Sequence, residues 1–164
     1  MSTKVLLTFD VDLQYLWIGT FRRTTLGELS RGEFGARVGV PRILNLLEKE
    51  NIKATFFVPG KVAEVYPELV LQIQSSGHEI GLHGYAHERW NELTPELEEK
   101  ILKRGKMALE DLLGKEIIGF RSPAWNLNPH SAELLLSLGF KYDSSLMADD
   151  YRPYYLRVGD EVTL

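Results

Sequence analysis

The sequence predicts an α/β domain built on a parallel sheet, and three observations carry this prediction. Short segments rich in β-branched and aromatic residues alternate with amphipathic helical segments, which is the order expected of βα units joined by right-handed crossovers. Polar residues follow the strand segments, as in parallel α/β folds, which gather functional groups at the carboxyl ends of strands. The 164 residues, 44% of them hydrophobic, suffice for one core.

Five strands are predicted, at residues 5–9, 54–58, 78–82, 117–120 and 140–142. The first is an apolar run without alternation, which suits a strand that is covered on both faces. The stretch 13–39 is rich in Gly, Arg, Thr and aromatic residues and shows no sustained period, so we predict a long functional loop there. The regular pattern stops after Asp143, and residues 158–164 begin a further strand-like segment.

Four helices are predicted between these strands, at residues 41–50, 63–75, 94–114 and 128–139. Pro41 and Pro95 suit the first turns of two of them. Thr94 is a suitable N-cap for the longest helix, and Gly114 and Gly139 suit helix ends. Neither an internal repeat nor a linker is found.

Composition excludes several classes of function. With 19 Lys and Arg against 23 Asp and Glu, the net charge is −4, and without a dense basic stripe we expect no nucleic-acid partner. No apolar run approaches the ~20 residues of a membrane span, and residues 1–4 lead directly into a strand, so we expect no signal peptide and a cytoplasmic location. The lack of Cys removes disulfides, thiolate ligands and a cysteine nucleophile.

Residues with metal-ligand chemistry follow two of the strands. Asp10 and Asp12 follow the first strand, and His83 and His87 follow the third. In a helical turn, the i, i+4 spacing places both imidazoles on one face. A carboxylate from Asp10 or Asp12 would complete a two-histidine, one-carboxylate set, which suits a hydrolytic or oxygenase metal. The structural alternatives are that His83 is a strand-end histidine, that His87 is a cap at the surface, and that the Asp-x-Asp of residues 10–12 forms a turn.

Three segments carry a resemblance to a known family. In chain order they are Thr8-Phe9-Asp10-Val11-Asp12, His83-Gly84-Tyr85-Ala86-His87 and Phe120-Arg121-Ser122-Pro123-Ala124-Trp125. They resemble the first three motifs of the polysaccharide deacetylase family, also called the NodB-homology or carbohydrate esterase family 4 domain. Segments 30–42, 142–147 and 153–155 are similar to a subgroup that includes Helicobacter-type peptidoglycan deacetylases and hydrolases of cyclic imides and ureides.

The resemblance implies a distorted (β/α) barrel that binds one divalent metal ion, usually zinc, with other divalent transition metals as alternatives. Asp12, His83 and His87 would bind the metal, and Asp10 would be the base that activates water. Arg121 would hold Asp10 in its orientation and keep it ionised through charge pairing.

Three further residues are candidates for substrate binding. Trp125 would form an apolar wall or a sugar-stacking face, and Tyr85 would contact substrate, with core packing as the alternative for both. Asp143 would pair with Arg121 or brace the loop that follows it. His78 and His130 are predicted to be structural.

Two departures from the family pattern bear on the mechanism. Ala124 stands where the family has an aromatic residue directly after the proline, and Trp125 follows one position later. The family takes its general acid from a histidine in a late motif, and no histidine follows His130. Protonation of the leaving amine therefore has no assigned donor.

We therefore expect a metal-dependent hydrolase of amide bonds that removes acetyl groups from N-acetylated sugars of a polysaccharide or peptidoglycan. Two alternatives stay open: hydrolysis of a small cyclic amide such as an imide or ureide, and a non-catalytic fragment that binds carbohydrate or metal. The expected partners are a carbohydrate or small amide substrate, and a homo-oligomer is left open. Because a full barrel takes about 250 residues, residues 1–164 are expected to be one domain, incomplete at its C-terminus.

Overall fold

A computed structural model describes residues 4–149 and 151–156. Within these ranges the chain forms a five-stranded parallel sheet with the order β1-β2-β3-β4-β5. The strands are β1 Thr8–Asp10, β2 Thr55–Val58, β3 Glu79–Leu82, β4 Gly119–Phe120 and β5 Tyr142–Asp143. The α-helices are α1 Leu26–Phe34, α2 Val40–Lys49, α3 Gly60–Val65, α4 Pro67–Ser75, α5 Pro95–Leu113 and α6 Ser131–Ser137. The predicted α/β fold with a parallel sheet is confirmed.

Two parts of the prediction concern residues that the structure does not describe. The strand-like segment predicted for residues 158–164 and the start at residues 1–3 lie outside the described residues. Among the helices of the described ranges, none combines the length and the apolar character that a bilayer crossing requires.

The two faces of the sheet differ in chemistry, because side chains alternate along each strand and neighbours in register share a face. One face is apolar and belongs to the buried core, with the side chains Phe56, Val58, Ile80, Leu82 and Phe120. The other face carries the polar side chains Thr8, Asp10, Thr55 and Glu79 together with the buried Phe57. The apolar face packs against the helices, whereas Asp10, at the carboxyl end of β1, lies on the other face.

Strand β1 begins later than predicted. Val5 and Leu6 are 78% and 85% exposed and precede the strand, which pairs Thr8 with Thr55 of β2. The prediction that residues 5–9 form a strand covered on both faces is therefore wrong. The other strand starts lie within two residues of prediction.

The prediction of a long loop over residues 13–39 is wrong. This stretch holds a π-helical turn at Leu16–Thr20, then α1, then a second π-helical turn at Gly35–Gly39 that continues into α2. Thr25 starts α1 with a capping box, because its hydroxyl accepts from the Glu28 amide while the Glu28 carboxylate accepts from the Thr25 amide. In α1 only Gly32 is buried, so no apolar stripe marks this helix in the sequence.

The helix predicted for residues 63–75 is two helices, α3 and α4. The break lies at Tyr66, whose φ of −126° and ψ of 53° are not helical. Pro67 causes it, since the proline ring disfavours helical geometry at the preceding residue and is well placed in the first turn of the next helix.

The packing of α3 and of the turn after β3 on α5 depends on glycine. A Cβ atom at Gly105 would lie 2.8 Å from the carbonyl oxygen of Gly84, and one at Gly60 would lie 2.6 Å from the Cα of Gly105. We expect Gly105→Ala to lower the free energy of unfolding by about 1–3 kcal/mol, measured by urea denaturation. Gly27→Ala is the matched control: it adds a methyl group in α1 with no atom within 4 Å, so stability should be unchanged or raised. Equal stability of Gly105→Ala and the unaltered chain would contradict this packing.

Candidate metal centre

The carboxyl ends of β1, β3 and β4 meet around one polar cluster. Asp10 ends β1 and Asp12 lies two residues further, His83 follows β3, and Arg121 follows β4. Main-chain hydrogen bonds extend the parallel pairing into these residues. The His83 amide donates to the carbonyl oxygen of Val58 at 3.0 Å, and the Arg121 amide donates to the carbonyl oxygen of Leu82 at 2.9 Å. The structure thus brings the side chains after three strands to one edge of the sheet.

Atoms that could bind a metal ion lie close together in three side chains: Asp12, His83 and His87. The Nε2 atom of His83 lies 3.4 Å from Oδ1 of Asp12, and Nε2 of His87 lies 3.3 Å from Oδ2. One ligand atom from each residue lies within 4.8 Å of the other two, and both imidazoles are buried. The two histidines meet through a turn rather than the helical turn predicted, because Gly84 and His87 have φ values of 68° and 59°.

Hydrogen bonds on the far side of each ring decide which nitrogen faces the cluster. Nδ1 of His83 lies 2.7 Å from the carbonyl oxygen of Arg121, which can only accept, so this Nδ1 carries the proton. Nδ1 of His87 lies 2.6 Å from the hydroxyl of Thr20, which donates to the His87 carbonyl at 3.1 Å, so this Nδ1 is also protonated. Both Nε2 atoms therefore present lone pairs towards Asp12, an arrangement that fits a bound cation.

The electrostatics of the cluster agree with this assignment. Burial lowers the pKa of His83, which favours the neutral ring. Oδ1 of Asp12 is buried and has no hydrogen-bond partner among the described residues. Because such a carboxylate oxygen is costly to bury, a divalent ion bound by these three residues would stabilise the cluster.

Asp10 stands beside this cluster and is held by Arg121. Nη1 of Arg121 donates to Oδ1 of Asp10 at 2.8 Å, and Nη2 donates to the hydroxyls of Thr8 at 3.0 Å and Ser144 at 2.7 Å. The guanidinium carbon also lies 4.2 Å from the centre of the Phe57 ring. These contacts fix the guanidinium group. Oδ2 of Asp10 receives no hydrogen bond from the described residues, which leaves this oxygen available to a ligand.

Asp143 braces a loop rather than pairing with Arg121. Its carboxylate accepts from the amide of Ser145 at 2.9 Å and from the hydroxyl of Ser145 at 2.6 Å. The same hydroxyl accepts from the Ser122 amide at 2.8 Å. Burial raises the pKa of Asp143. Asp143 thereby ties the segment after β5 to the segment after β4.

Trp125 and Tyr85 lie in different surroundings. Trp125 is 54% exposed, and both it and Ala124 have positive φ values, of 55° and 54°. Non-glycine residues in this region store strain and cluster at functional sites. Tyr85 is buried, donates its hydroxyl to Glu64 of α3 at 2.9 Å, and has the Arg104 guanidinium of α5 over its ring at 3.9 Å. Trp125 thus offers an accessible ring, whereas the Tyr85 side chain joins two helices.

The two remaining histidines, His78 and His130, make contacts away from this cluster. Nδ1 of His78 accepts from the Ala54 amide at 3.3 Å, at the amino end of β3. His130 lies at the start of α6, with Nε2 at 2.9 Å from the buried carboxylate of Glu98. Both contacts hold neighbouring elements together.

Thr20 is not predicted from the sequence, although it contacts the candidate metal ligand His87 directly. The contact joins residues 67 positions apart, and no motif contains Thr20. Its stretch, 13–39, was nevertheless predicted to be functional, and the π-helical turn Leu16–Thr20 is the part that reaches the site.

The sequence matches a known family of proteins and several of its members. Residues 2–142 match the family model described as polysaccharide deacetylase. The chain is 40% identical over 163 residues to the peptidoglycan deacetylase of Helicobacter pylori, covering 98% of this chain and 56% of that protein. It is 32% identical over 89 residues to the chitooligosaccharide deacetylase of Azorhizobium caulinodans, covering 52% and 42%. The chain spans about half the length of these relatives.

Solved structures show the same fold. A Mycobacterium smegmatis protein assigned to the polysaccharide deacetylases superposes with a TM-score of 0.86 at 43% identity, over 94% of this chain and 55% of that one. An allantoinase superposes with a TM-score of 0.73 at 21% identity, over 84% and 52%, and this likeness concerns the fold alone. With a family model that matches most of its length, the chain belongs to the polysaccharide deacetylase family.

Proposed function

We propose that this chain carries the active site of a metal-dependent deacetylase that hydrolyses the acetamido bond of N-acetylated sugars in peptidoglycan or a related polysaccharide. One observation carries the proposal: two imidazole lone pairs and a buried, unpartnered carboxylate oxygen converge beside a second carboxylate, Asp10. The 40% sequence identity to the peptidoglycan deacetylase of Helicobacter pylori supports N-acetylated sugars as the substrate class.

Asp12, His83 and His87 would hold one divalent ion, for which we propose zinc. Zinc accepts imidazole and carboxylate ligands, and catalytic zinc sites have three protein ligands. When bound, the ion supplies Lewis acidity, which polarises the amide carbonyl and lowers the pKa of water.

Asp10 is the proposed general base. Its free Oδ2 accepts the proton of the water that attacks the acetyl carbonyl, while Arg121 donates a hydrogen bond to Oδ1 and holds the carboxylate in place. The leaving nitrogen also needs a proton, and no histidine follows His130 in this sequence to donate it. Protonated Asp10 is the acid that the described site offers. The exposed ring of Trp125 presents an apolar face to a sugar.

Two acetyl donors with different leaving groups test this proposal. N-acetylglucosamine oligomers release an amine that must be protonated, whereas 4-nitrophenyl acetate releases a phenolate that needs no proton. With the zinc-loaded chain we expect zinc-dependent acetate release from both, faster from the ester. Ring opening of hydantoin without acetate release would instead favour the cyclic-amide alternative. Zinc binding without hydrolysis of any of the three would overturn the enzymatic proposal in favour of a binding module.

A further inference from the structure

We propose that Thr20 is a positioning residue that fixes His87 for metal binding. The inference rests on the proposed metal site at Asp12, His83 and His87. Thr20 contacts His87 twice, because its hydroxyl oxygen lies 2.6 Å from Nδ1 of the ring and 3.1 Å from the carbonyl oxygen of the same residue. We call the pair Gly19 and Thr20 the clasp.

The hydroxyl of Thr20 can satisfy both contacts in one way only. It has one hydrogen, and the His87 carbonyl can only accept, so the hydroxyl donates to the carbonyl and accepts from Nδ1–H. This bond keeps Nε2 free of a proton and aims it at Asp12. His87 is 3% exposed, so water has little room to take the place of the hydroxyl.

The backbone of His87 also depends on the clasp. With a φ of 59°, His87 is in the left-handed region, which a non-glycine residue adopts only where its surroundings impose it. A Cβ atom at Gly19 would lie 2.4 Å from the His87 carbonyl oxygen, so the clasp lies directly on this peptide group. Nε of Arg89 donates to the carbonyl of Thr20 at 2.6 Å and fixes the clasp in turn.

His83 provides an internal comparison. Its Nδ1–H donates to the main-chain carbonyl of Arg121, at the end of a sheet strand. No side-chain hydroxyl takes part in that bond, so a change at Thr20 should disturb His87 and leave His83 as it is.

Two variants separate the hydroxyl from the shape of the side chain. Thr20→Val keeps the branched shape and removes the hydroxyl, whereas Thr20→Ser keeps the hydroxyl. We expect Thr20→Val to weaken Zn²⁺ affinity about 10–100-fold, the usual cost of losing an outer partner of a metal-bound histidine, and Thr20→Ser to stay close to the unaltered chain. Competition with a chromophoric chelator measures the affinity.

A spectroscopic measurement on the metal-free protein tests the same inference without zinc. Two-bond ¹H–¹⁵N correlation spectra should show the Nδ1–H form of His87 in the unaltered chain and in Thr20→Ser, and its loss in Thr20→Val. An unchanged His83 signal shows that each variant is folded, and Thr20→Ala replaces Thr20→Val if the latter does not fold.

The outcomes separate the clasp from the metal site. Unchanged affinity and an unchanged His87 signal in Thr20→Val would overturn the role of Thr20, as would equal losses in Thr20→Val and Thr20→Ser. If the unaltered chain bound no zinc, the proposed metal centre would fail, and the spectra of the metal-free protein would still decide whether Thr20 sets the form of His87.

Discussion

Asp12→Asn is expected to weaken Zn²⁺ binding by more than the 10–100-fold that follows loss of an outer partner. The substitution removes the negative charge between the two imidazoles, whose Nε2 atoms lie 3.4 and 3.3 Å from the Asp12 oxygens. Two neutral ligands and an amide then remain for a doubly charged ion. The metal-free variant should be at least as stable as the unaltered chain, because a neutral amide replaces a charged carboxylate that has a buried oxygen without a hydrogen-bond partner.

Thermal unfolding with and without zinc measures this effect. A ligand at 100 times its Kd stabilises a folded protein by about 2.7 kcal/mol, so zinc should raise the Tm of the unaltered chain and have little effect on Asp12→Asn. Asp143→Asn is the matched control, since Asp143 is a half-buried carboxylate whose hydrogen bonds go to Ser145. Asp143→Asn should have a lower Tm than the unaltered chain, and zinc should still raise that Tm. A full zinc response in Asp12→Asn would show that the ion binds elsewhere.

Asp10→Asn is expected to lower kcat for deacetylation by about 10²–10⁴-fold, the usual contribution of a general base. The amide keeps the size of the carboxylate and its carbonyl oxygen can still accept from Arg121, but it cannot take up a proton. Zinc affinity should stay close to that of the unaltered chain, because the three proposed ligands are intact.

Acetate release under saturating zinc, together with chelator competition, separates base loss from metal loss. Glu64→Gln is a suitable control, because Glu64 accepts a hydrogen bond from the Tyr85 hydroxyl and belongs to α3. It should retain both activity and zinc. Activity of Asp10→Asn within a few-fold of the control would remove Asp10 from the mechanism, and parallel loss of zinc would assign it to the metal site instead.

The parts of the fold that the sequence predicted well are those that bury apolar side chains, either in an unbroken run or at the helical period. Strand β2, with three of its four residues buried, and the long helix α5 are examples. Helix α1 was missed because Gly32 is its buried residue and its start is set by the Thr25–Glu28 capping box. That box is a local signal, legible in the sequence, which periodicity alone does not detect.

The candidate site was predictable where chain order places residues at strand ends. Asp12 and His83 follow strands whose carboxyl ends meet in any parallel sheet. The contact of Thr20 with His87 joins two irregular segments, and the direction of the Tyr85 side chain depends on Glu64 and Arg104. Such contacts follow from tertiary packing, and no spacing in the sequence encodes them.

Anomalous diffraction at the zinc absorption edge, from crystals of the zinc-loaded chain, tests the central claim most directly. The site described above predicts a peak bonded to the Asp12 carboxylate and to Nε2 of both His83 and His87, at about 2.0–2.2 Å from each, with Asp10 beside it and outside the ligand set. A peak away from Asp12, or histidines bound through Nδ1, would contradict the account.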